Sequence, residues 1–191
     1  MAVSLSHYAV DLEDNIAFPD IAHVPILPPH EKKNWYILTE IVSDETVFRP
    51  TFRVEDKLAG HYWVVAFYTE NPAADAKECK VGHMICIKDG IPKQFLDGRY
   101  GYKIKDPWDV VILPCGLANL RELNVELRKR SDDGLFFSCV VCNSQKESLG
   151  CARCKTRYRS GECMKADWHS RHLQICKVLR TLHEWNRTPW G

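Results

Sequence analysis

The chain has 191 residues and a mass of 22.1 kDa, enough for one ordinary domain or one domain with a small appendage. It carries 26 Lys and Arg against 25 Asp and Glu, and 45% of its residues are hydrophobic. These values exclude a highly charged disordered chain and a collagen-like repeat. The charge is uneven, because residues 1–138 hold 16 basic and 21 acidic side chains, whereas residues 139–191 hold 10 and 4. An acidic body therefore precedes a basic C-terminal part.

Residues 1–33 are predicted to form a proline-rich arm without regular structure, since no helical or strand period is sustained there. Residues 34–130 have the pattern of a β-rich domain with one helix, of unknown function. The predicted strands are rich in β-branched and aromatic residues and cover 35–42, 46–54, 61–69, 81–89 and 108–113. Asp-Gly pairs between residues 88 and 102 indicate a hairpin or tight loop, and leucines from 117 to 127 predict a helix that ends at Arg130.

Five aromatic side chains of this domain are expected to build its core: Trp35, Tyr36, Phe52, Trp63 and Phe67. The cysteines at 79, 86 and 115 are expected to be small buried residues. No nucleophile with a base, no Gly-rich phosphate loop and no acid pair of recognisable context occurs. The sequence therefore predicts a protein that is not an enzyme.

Six cysteines and a histidine follow a predicted linker at 131–138 and are spaced C-x2-C-x8-C-x2-C-x8-C-x8-H-x3-C over residues 139–176. Thiolate pairs on tight turns, completed by later Cys or His donors, are typical of structural zinc sites. In a chain whose thiols stay reduced, this spacing indicates metal binding rather than disulfides. An N-terminus without a basic region and the lack of an apolar run of about 20 residues predict a soluble intracellular protein, nuclear or cytoplasmic, with no membrane span.

The stretch from Cys139 to Cys176 resembles a MYND-type zinc finger, with that family's tyrosine, serine, tryptophan and closing H-x3-C at 158, 160, 168 and 172–176. The resemblance implies two interleaved zinc ions. It implies one ion on Cys151, Cys154, His172 and Cys176, and the other on Cys139, Cys142, Cys163 and a cysteine at position 159. The whole chain is thus predicted to be α+β, with the finger at 139–176 and a C-terminal helix extension at 177–191. Residues 82–101 are also similar to a β-rich segment of uncharacterised fungal MYND proteins.

Position 159 is an arginine, which is the main departure from the family pattern. A guanidinium stays protonated and has no lone pair for zinc, so the first site keeps three thiolates and is expected to be weakened. Water, Glu162 and His169 are the candidates for its fourth position. A smaller departure is the spacing from Trp168 to His172, which is one residue longer than the commonest spacing in the family.

In the MYND family a shallow groove receives an extended proline-rich peptide, and its positions correspond to Trp168 and to Met164, where the family has glutamine. Met164 loses a two-way hydrogen-bonding amide, so weaker or altered peptide recognition is expected, unless Trp168 only packs the finger. The segment Pro25-Ile26-Leu27-Pro28-Pro29 fits the family's Pro-x-Leu-x-Pro ligand pattern. It is either a ligand for the groove, in its own chain or in a second copy, or a lead-in that packs on the β-rich domain.

The leading hypothesis from sequence is a zinc-binding protein–protein interaction module that recognises a short, proline-rich peptide of a partner. The first alternative is nucleic-acid binding through the basic finger, where Arg153, Lys155, Arg157 and Arg159 alternate along one segment. The second alternative is an accessory part of a methyltransferase, because one methyltransferase family contains a MYND finger. It has less support, since the chain lacks the Asn-His motif and the Gly-rich cofactor turn of that class.

Overall fold

A computed structural model of the chain describes residues 9–29, 34–146 and 149–190. The chain divides into two compact units. The β-rich unit comprises residues 12–117 and 189–191, and the cysteine-rich unit comprises residues 1–11 and 118–188. The fold is mixed α+β, with one large sheet and a few helices, as the sequence predicts. No helix within the described residues is long and apolar enough to span a bilayer.

The described part of the β-rich unit forms a seven-stranded sheet with the order β5-β6-β3-β2-β1-β4-β7. Its strands are β1 (Tyr36–Asp44), β2 (Thr51–Asp56), β3 (Tyr62–Phe67), β4 (Met84–Lys88), β5 (Lys93–Gln94), β6 (Tyr100–Ile104) and β7 (Val110–Leu113). A one-turn helix, α1 (Pro72–Asp75), follows β3, and a 3-10 turn (Pro107–Asp109) precedes β7. Strands β3 and β6 run parallel, whereas the five other neighbouring pairs are antiparallel.

One face of this sheet makes the core, because side chains alternate along each strand. Phe52 of β2 and Trp63 and Phe67 of β3 are buried in it, as is Trp35 just before β1. The expected aromatic core is therefore confirmed for four of its five members. Tyr36 is half-buried instead, and its ring contacts that of Trp190 with 6.1 Å between the centroids. Cys86 is buried as expected, and Cys79 and Cys115 are half-buried.

The polar partner of Trp63 is a buried carboxylate at the end of β2. Trp63 Nε1 donates to Asp56 Oδ2 at 3.0 Å, and the backbone N–H of Leu58 donates to Asp56 Oδ1 at 2.9 Å. The backbone N–H of Ile21 donates to the same oxygen at 3.4 Å. A buried carboxylate is tolerated only with such donors, so Asp56 ties the core, the β2–β3 turn and the N-terminal arm together.

Two details of the sheet differ from the sequence pattern. The strand predicted at 46–54 begins only at Thr51, because residues 45–50 form a loop. The backbone N–H of Glu45 donates to Thr51 O at 2.8 Å and closes this loop. The predicted hairpin between residues 88 and 102 is confirmed as β5 and β6, yet its second strand also pairs with β3. That pairing needs glycine at 101, since a Cβ there would lie 1.8 Å from the carbonyl oxygen of Val64.

The N-terminal arm has neither helix nor strand over residues 9–29, as predicted, but it is ordered by packing. Leu12, Ala17 and Phe18 are buried. The backbone N–H of Tyr36 donates to Ala17 O at 2.8 Å, and Lys57 Nζ donates to Leu12 O at 3.1 Å. The apolar residues of this segment therefore complete the β-rich unit.

The cysteine-rich unit is mostly helical. Its elements are α2 (Leu117–Asp132, whose first residue belongs to the β-rich unit), β8 (Leu149–Gly150), β9 (Arg157–Tyr158), α3 (Gly161–Asp167), a π-helical turn (Trp168–His172) and α4 (Leu173–Trp185). Ser160 caps α3, and its Oγ accepts from Cys163 N at 3.4 Å. The helix extension predicted at 177–191 is the later part of α4, which ends at Trp185.

Candidate functional site

Two groups of metal-ligating side chains lie in the cysteine-rich unit, and within each group the donor atoms are all within 4.8 Å of one another. The four-donor site consists of Cys151, Cys154, His172 and Cys176, all buried. The three-donor site consists of Cys139, Cys142 and Cys163, of which Cys142 is exposed. The structure thus brings together all seven candidate ligands, in the same two sets that the MYND resemblance implies.

Both sites are built on the same kind of tight turn. The backbone N–H of Asn143 donates to Cys139 O at 2.9 Å, and the N–H of Lys155 donates to Cys151 O at 2.9 Å. Asn143 and Lys155 both have left-handed backbones, with φ of 57° and 66°. This conformation costs energy for a residue with a side chain. Each turn directs the two sulfurs of a C-x2-C pair to one point, which is how such pairs bind a single ion.

Backbone amides prepare one thiol of each pair for metal binding. Burial opposes ionisation of Cys139, yet N–H groups of Cys142, Arg159 and Val141 donate to its sulfur and lower its pKa to about 7. Burial likewise opposes ionisation of Cys151, but N–H groups of the same kind and His172 lower its pKa to about 6. Burial and the neighbouring thiolates raise the pKa of Cys176 to about 12. A cation is the partner that allows all of these sulfurs to be thiolates together.

The donor chemistry of the four-donor site fits zinc. Three thiolates and one imidazole form a Cys3His set, which is typical of closed tetrahedral zinc sites. The three-donor site supplies three thiolates, and neither Glu162 nor His169 joins it among the described residues. The backbone N–H of Arg159 donates to the Cys139 sulfur. Within the described residues this site therefore offers a zinc ion three thiolates.

His172 is held in the four-donor site by a buried hydrogen-bond relay. Its Nε2 lies 3.5 Å from Cys154 Sγ, so this nitrogen faces the donor cluster. Its Nδ1 lies 2.9 Å from Tyr158 Oη, and Tyr158 in turn donates to Asp167 Oδ2 at 2.6 Å. Because the Tyr158 hydroxyl donates its proton to Asp167, its oxygen accepts a hydrogen bond from His172 Nδ1–H. The relay therefore leaves the Nε2 lone pair free for a metal ion.

The relay continues to helix α2 through an ion pair. Arg171 Nε lies 3.7 Å from Asp167 Oδ1. The two terminal nitrogens of Arg171 donate to both oxygens of Glu126 at 2.9 and 2.8 Å. This bidentate geometry fixes the guanidinium plane, so α2 helps to orient Asp167 and, through it, the histidine donor.

The residues from Trp168 to His172 form the π-helical turn. The backbone N–H of Leu173 donates to Trp168 O, five residues back, which is the hydrogen bond that a one-residue insertion into an α-helix produces. The ring of Trp168 stacks on His172, with centroids 5.5 Å apart and planes 28° apart. Trp168 and Met164 also line a groove of about 580 Å³ that is bordered by Gly150 and Ala152 beside β8.

The basic residues of the finger form an exposed strip. Arg153, Lys155, Arg157 and Arg159 are all exposed, and the residues between them, Cys154, Thr156 and Tyr158, are buried. Strand β9 accounts for this alternation only at Arg157 and Tyr158, because its successive side chains point to opposite sides. Lys155 belongs to the tight turn before it, with a left-handed backbone. The strip therefore faces solvent.

A second candidate site lies on the β-rich unit and was not found from the sequence. The guanidinium carbon of Arg49 lies 3.8 Å from the ring centroid of Tyr68, and that of Arg53 lies 4.2 Å from the ring centroid of Tyr62. Lys103 Nζ lies 5.6 Å from the Tyr68 ring. We call these five residues the aromatic face. Four of them, Arg49, Arg53, Tyr62 and Tyr68, lie in predicted strands, and their signal is the presence of charged and aromatic residues at non-core positions of those strands.

No protein-family model matches the chain, and no curated protein matches it. Among solved structures, a mitochondrial single-stranded DNA-binding protein of S. cerevisiae, Rim1, is 12% identical over 45% of this chain and 98% of that chain, with a TM-score of 0.32. The S. pombe Stn1–Ten1 complex is 16% identical over 55% and 74%, with a TM-score of 0.33. Schizosaccharomyces pombe Pot1pC bound to ssDNA is 12% identical over 56% and 96%, with a TM-score of 0.36. Similarity this low assigns neither fold nor function.

Restoring a cysteine at position 159 is expected to complete the three-donor site. The Arg159→Cys variant should bind about two zinc ions per chain tightly, and the natural chain between about one and about two. Elemental analysis after dialysis against a chelator measures this difference. The Arg157→Cys variant is the control, because it adds a thiol to the same strip without adding a ligand. Two tightly held ions in the natural chain would contradict the prediction.

Removing the carboxylate of the relay is expected to weaken metal binding at the four-donor site. The Asp167→Asn variant should lose about 10- to 100-fold in zinc affinity, because the His172 donor is no longer held in its productive orientation. Competition with a coloured chelator measures the affinity, and the NMR signal of the His172 Nδ1 proton reports the hydrogen bond. Glu184→Gln is the matched control, since Glu184 pairs only with exposed Arg180, at 3.6 Å. An unchanged affinity and proton signal in Asp167→Asn would contradict the relay.

Proposed function

We propose that this chain is a zinc-stabilised protein that binds single-stranded nucleic acid through the aromatic face of its β-rich unit. The observation that carries the proposal is the pair of exposed tyrosines, each stacked against an arginine. Proteins that bind single strands combine aromatic rings, on which bases stack, with cations that neutralise the phosphates. Tyr62 and Tyr68 are 44% and 41% exposed, so their outer ring surfaces are accessible.

The sheet places these side chains on one surface. Tyr62 and Tyr68 are an even number of residues apart, so the alternation of β3 directs them to the same side. Arg53 of β2 is paired in register with Val64, and Lys103 of β6 with Ala66, on either side of β3. Between the two tyrosines on this face, Val64 and Ala66 are buried, so the surface that a strand of nucleic acid would contact is formed by the tyrosine rings and the cations beside them.

Strand order and loops support the same proposal. The order β6-β3-β2-β1-β4, with β3 and β6 parallel, is the strand order of an OB-fold, which binds oligonucleotides on the face and loops that correspond to these elements. The loop between β1 and β2 carries Phe48 near its middle, and the side chain of Phe48 is 99% exposed. Leu96, in the loop between β5 and β6, is fully exposed as well. Exposed apolar residues at both loop tips add contact surface for bases.

Removing the stacking rings is expected to weaken binding to single strands. Tyr62→Ala and Tyr68→Ala should each lower the affinity for a labelled oligonucleotide of about 15 residues by about 5- to 100-fold, since one base loses its stacking partner. Fluorescence anisotropy measures the affinity, and the logarithm of the binding constant should fall linearly with the logarithm of salt concentration. A duplex of the same sequence should bind more weakly, because its bases are not available for stacking.

Trp108→Ala is the control for these variants. Trp108 is also an exposed aromatic residue, but it precedes β7, at the opposite end of the sheet order from β6 and β3. Its replacement should leave binding unchanged. The proposal fails if the natural chain shows no salt-dependent affinity for single strands, or if Trp108→Ala and the tyrosine variants lose affinity equally.

A second candidate function is peptide recognition by the finger, which we propose to be of the MYND type with zinc at both sites. The supporting observation is the groove that contains Trp168 and Met164 beside β8. Gly150 in β8 lines the groove without a side chain, and a Cβ there would have only the Thr156 carbonyl oxygen near it, at 3.8 Å. The groove thus offers an apolar floor next to accessible strand backbone, the combination that extended peptides use.

The peptide function is tested with the chain's own proline-rich segment as the probe. A labelled peptide of residues 20–32 should bind the zinc-loaded chain, and Trp168→Ala should lower its affinity by about tenfold, because the apolar anchor is lost. Trp108→Ala again serves as the control for the loss of a tryptophan. Absence of binding at millimolar peptide would contradict peptide recognition and leave the nucleic-acid proposal untouched.

A further inference from the structure

A groove of about 760 Å³ opens beside Tyr62, at one end of the aromatic face. Its floor contains Trp63 and Val64 of β3. The N-terminal arm supplies one wall with Ile21, Val24 and Ile26, and the hairpin of β5 and β6 supplies Pro92 and Tyr100. The Tyr62 ring, with Arg53 stacked on it, also lines the groove. Most of the groove's lining is therefore apolar or aromatic, with Arg53 and Arg99 beside it. Its ring surfaces suit stacking of flat bases.

Glu45 is the one carboxylate among the residues that line this groove, within the described part of the chain. Its Oε2 accepts from Arg99 Nη1 at 2.5 Å. Arg99 is itself anchored by Asp97, whose Oδ2 accepts from Arg99 Nε at 2.8 Å. The other oxygen of Glu45 is 3.5 Å from Ser43 Oγ, a long contact. The Glu45 side chain is 31% exposed, so a fixed carboxylate with remaining acceptor capacity faces the groove.

A carboxylate in a nucleic-acid site repels phosphates, so its favourable partners are the hydrogen-bond donors on base edges. Cytosine, adenine and guanine carry an exocyclic amine, which donates to a carboxylate, whereas thymine and uracil carry carbonyl oxygens at the corresponding positions. Thymine and uracil offer the carboxylate only their ring N3–H, which lies between two carbonyl oxygens that repel it. Such a mismatch is penalised more strongly than a matched pair is rewarded.

We propose that this groove holds bases of the bound single strand and that Glu45 selects bases with an exocyclic amine over thymine and uracil. The proposal rests on the nucleic-acid function proposed above and adds base selectivity to it. Arg99 is the positioning residue, because its hydrogen bond holds the carboxylate at the groove. Tyr62 and Tyr100 supply ring surfaces that accept every base, so selectivity comes from Glu45.

The test compares two pyrimidine strands, oligo-dC and oligo-dT of equal length, because their bases have the same size and differ mainly in the amine. The natural chain should bind oligo-dC about tenfold more tightly than oligo-dT. Glu45→Gln should reduce this ratio to about one, since an amide donates to carbonyls as readily as it accepts from amines. Glu55→Gln is the matched control on the neighbouring strand β2, where Glu55 Oε1 accepts from Gly60 N at 2.8 Å, and it should keep the natural ratio.

A second measurement leaves the protein unchanged. Replacing adenine by purine, which lacks the amine, in an oligo-dA strand should weaken binding to the natural chain by about tenfold. The loss should be smaller in Glu45→Gln, because an uncharged amide gains less from the amine than a carboxylate does. Equal affinity of the natural chain for oligo-dC and oligo-dT would overturn the selectivity while the nucleic-acid function stands. No affinity for either strand would overturn both proposals. A ratio that survives in Glu45→Gln would overturn the role of Glu45.

Discussion

Repulsion between crowded thiolates is the constraint on which the cysteine-rich unit depends. Sulfur atoms of Cys151, Cys154 and Cys176 lie within 4.8 Å of one another, together with the His172 nitrogen. Without a cation, only part of this set can ionise, because each thiolate raises the cost of the next. The surrounding structure is slight, since β8 and β9 have two residues each. Metal binding, which supplies about 10–16 kcal/mol at structural zinc sites, would hold the two turns in place.

The β-rich unit depends instead on side-chain alternation. The same strands that bury Trp63 and Phe67 necessarily direct Tyr62 and Tyr68 away from the core. A change of register by one residue would exchange the two sets, so core packing and the aromatic face are specified together. The β-rich unit thus depends on apolar burial, whereas the cysteine-rich unit combines apolar residues buried on α2 and α4 with two donor sets that a cation would neutralise.

Periodicity and spacing predicted the parts of the molecule that depend on local sequence. Five strands, the helix α2 and the aromatic core follow from alternation and from leucine spacing, and the C-x2-C pairs follow from their spacing alone. The parallel pairing of β6 with β3 could not be predicted from these patterns, because Gly101 weakens the strand pattern of β6. Glycine is needed there because the backbone of Val64, a residue distant in sequence, lies too close for a Cβ. The relay of Tyr158, Asp167 and His172 likewise depends on three-dimensional contact. The stacked tyrosines could have been found, since Arg53 and Tyr62 occupy non-core positions of predicted strands.

The π-helical turn determines how the metal donors are placed relative to the residues before them. In a regular helix each added residue rotates everything beyond it by about 100°, which would carry His172 and Cys176 away from their partner sulfurs. The turn confines that rotation to Trp168–His172, so the ligands stay in place while the side chains before them shift. The groove nevertheless remains part of the metal-binding surface, because Trp168 stacks on His172, and Cys151 and His172 also line the groove. A substitution in the groove is therefore also a change beside the metal donors.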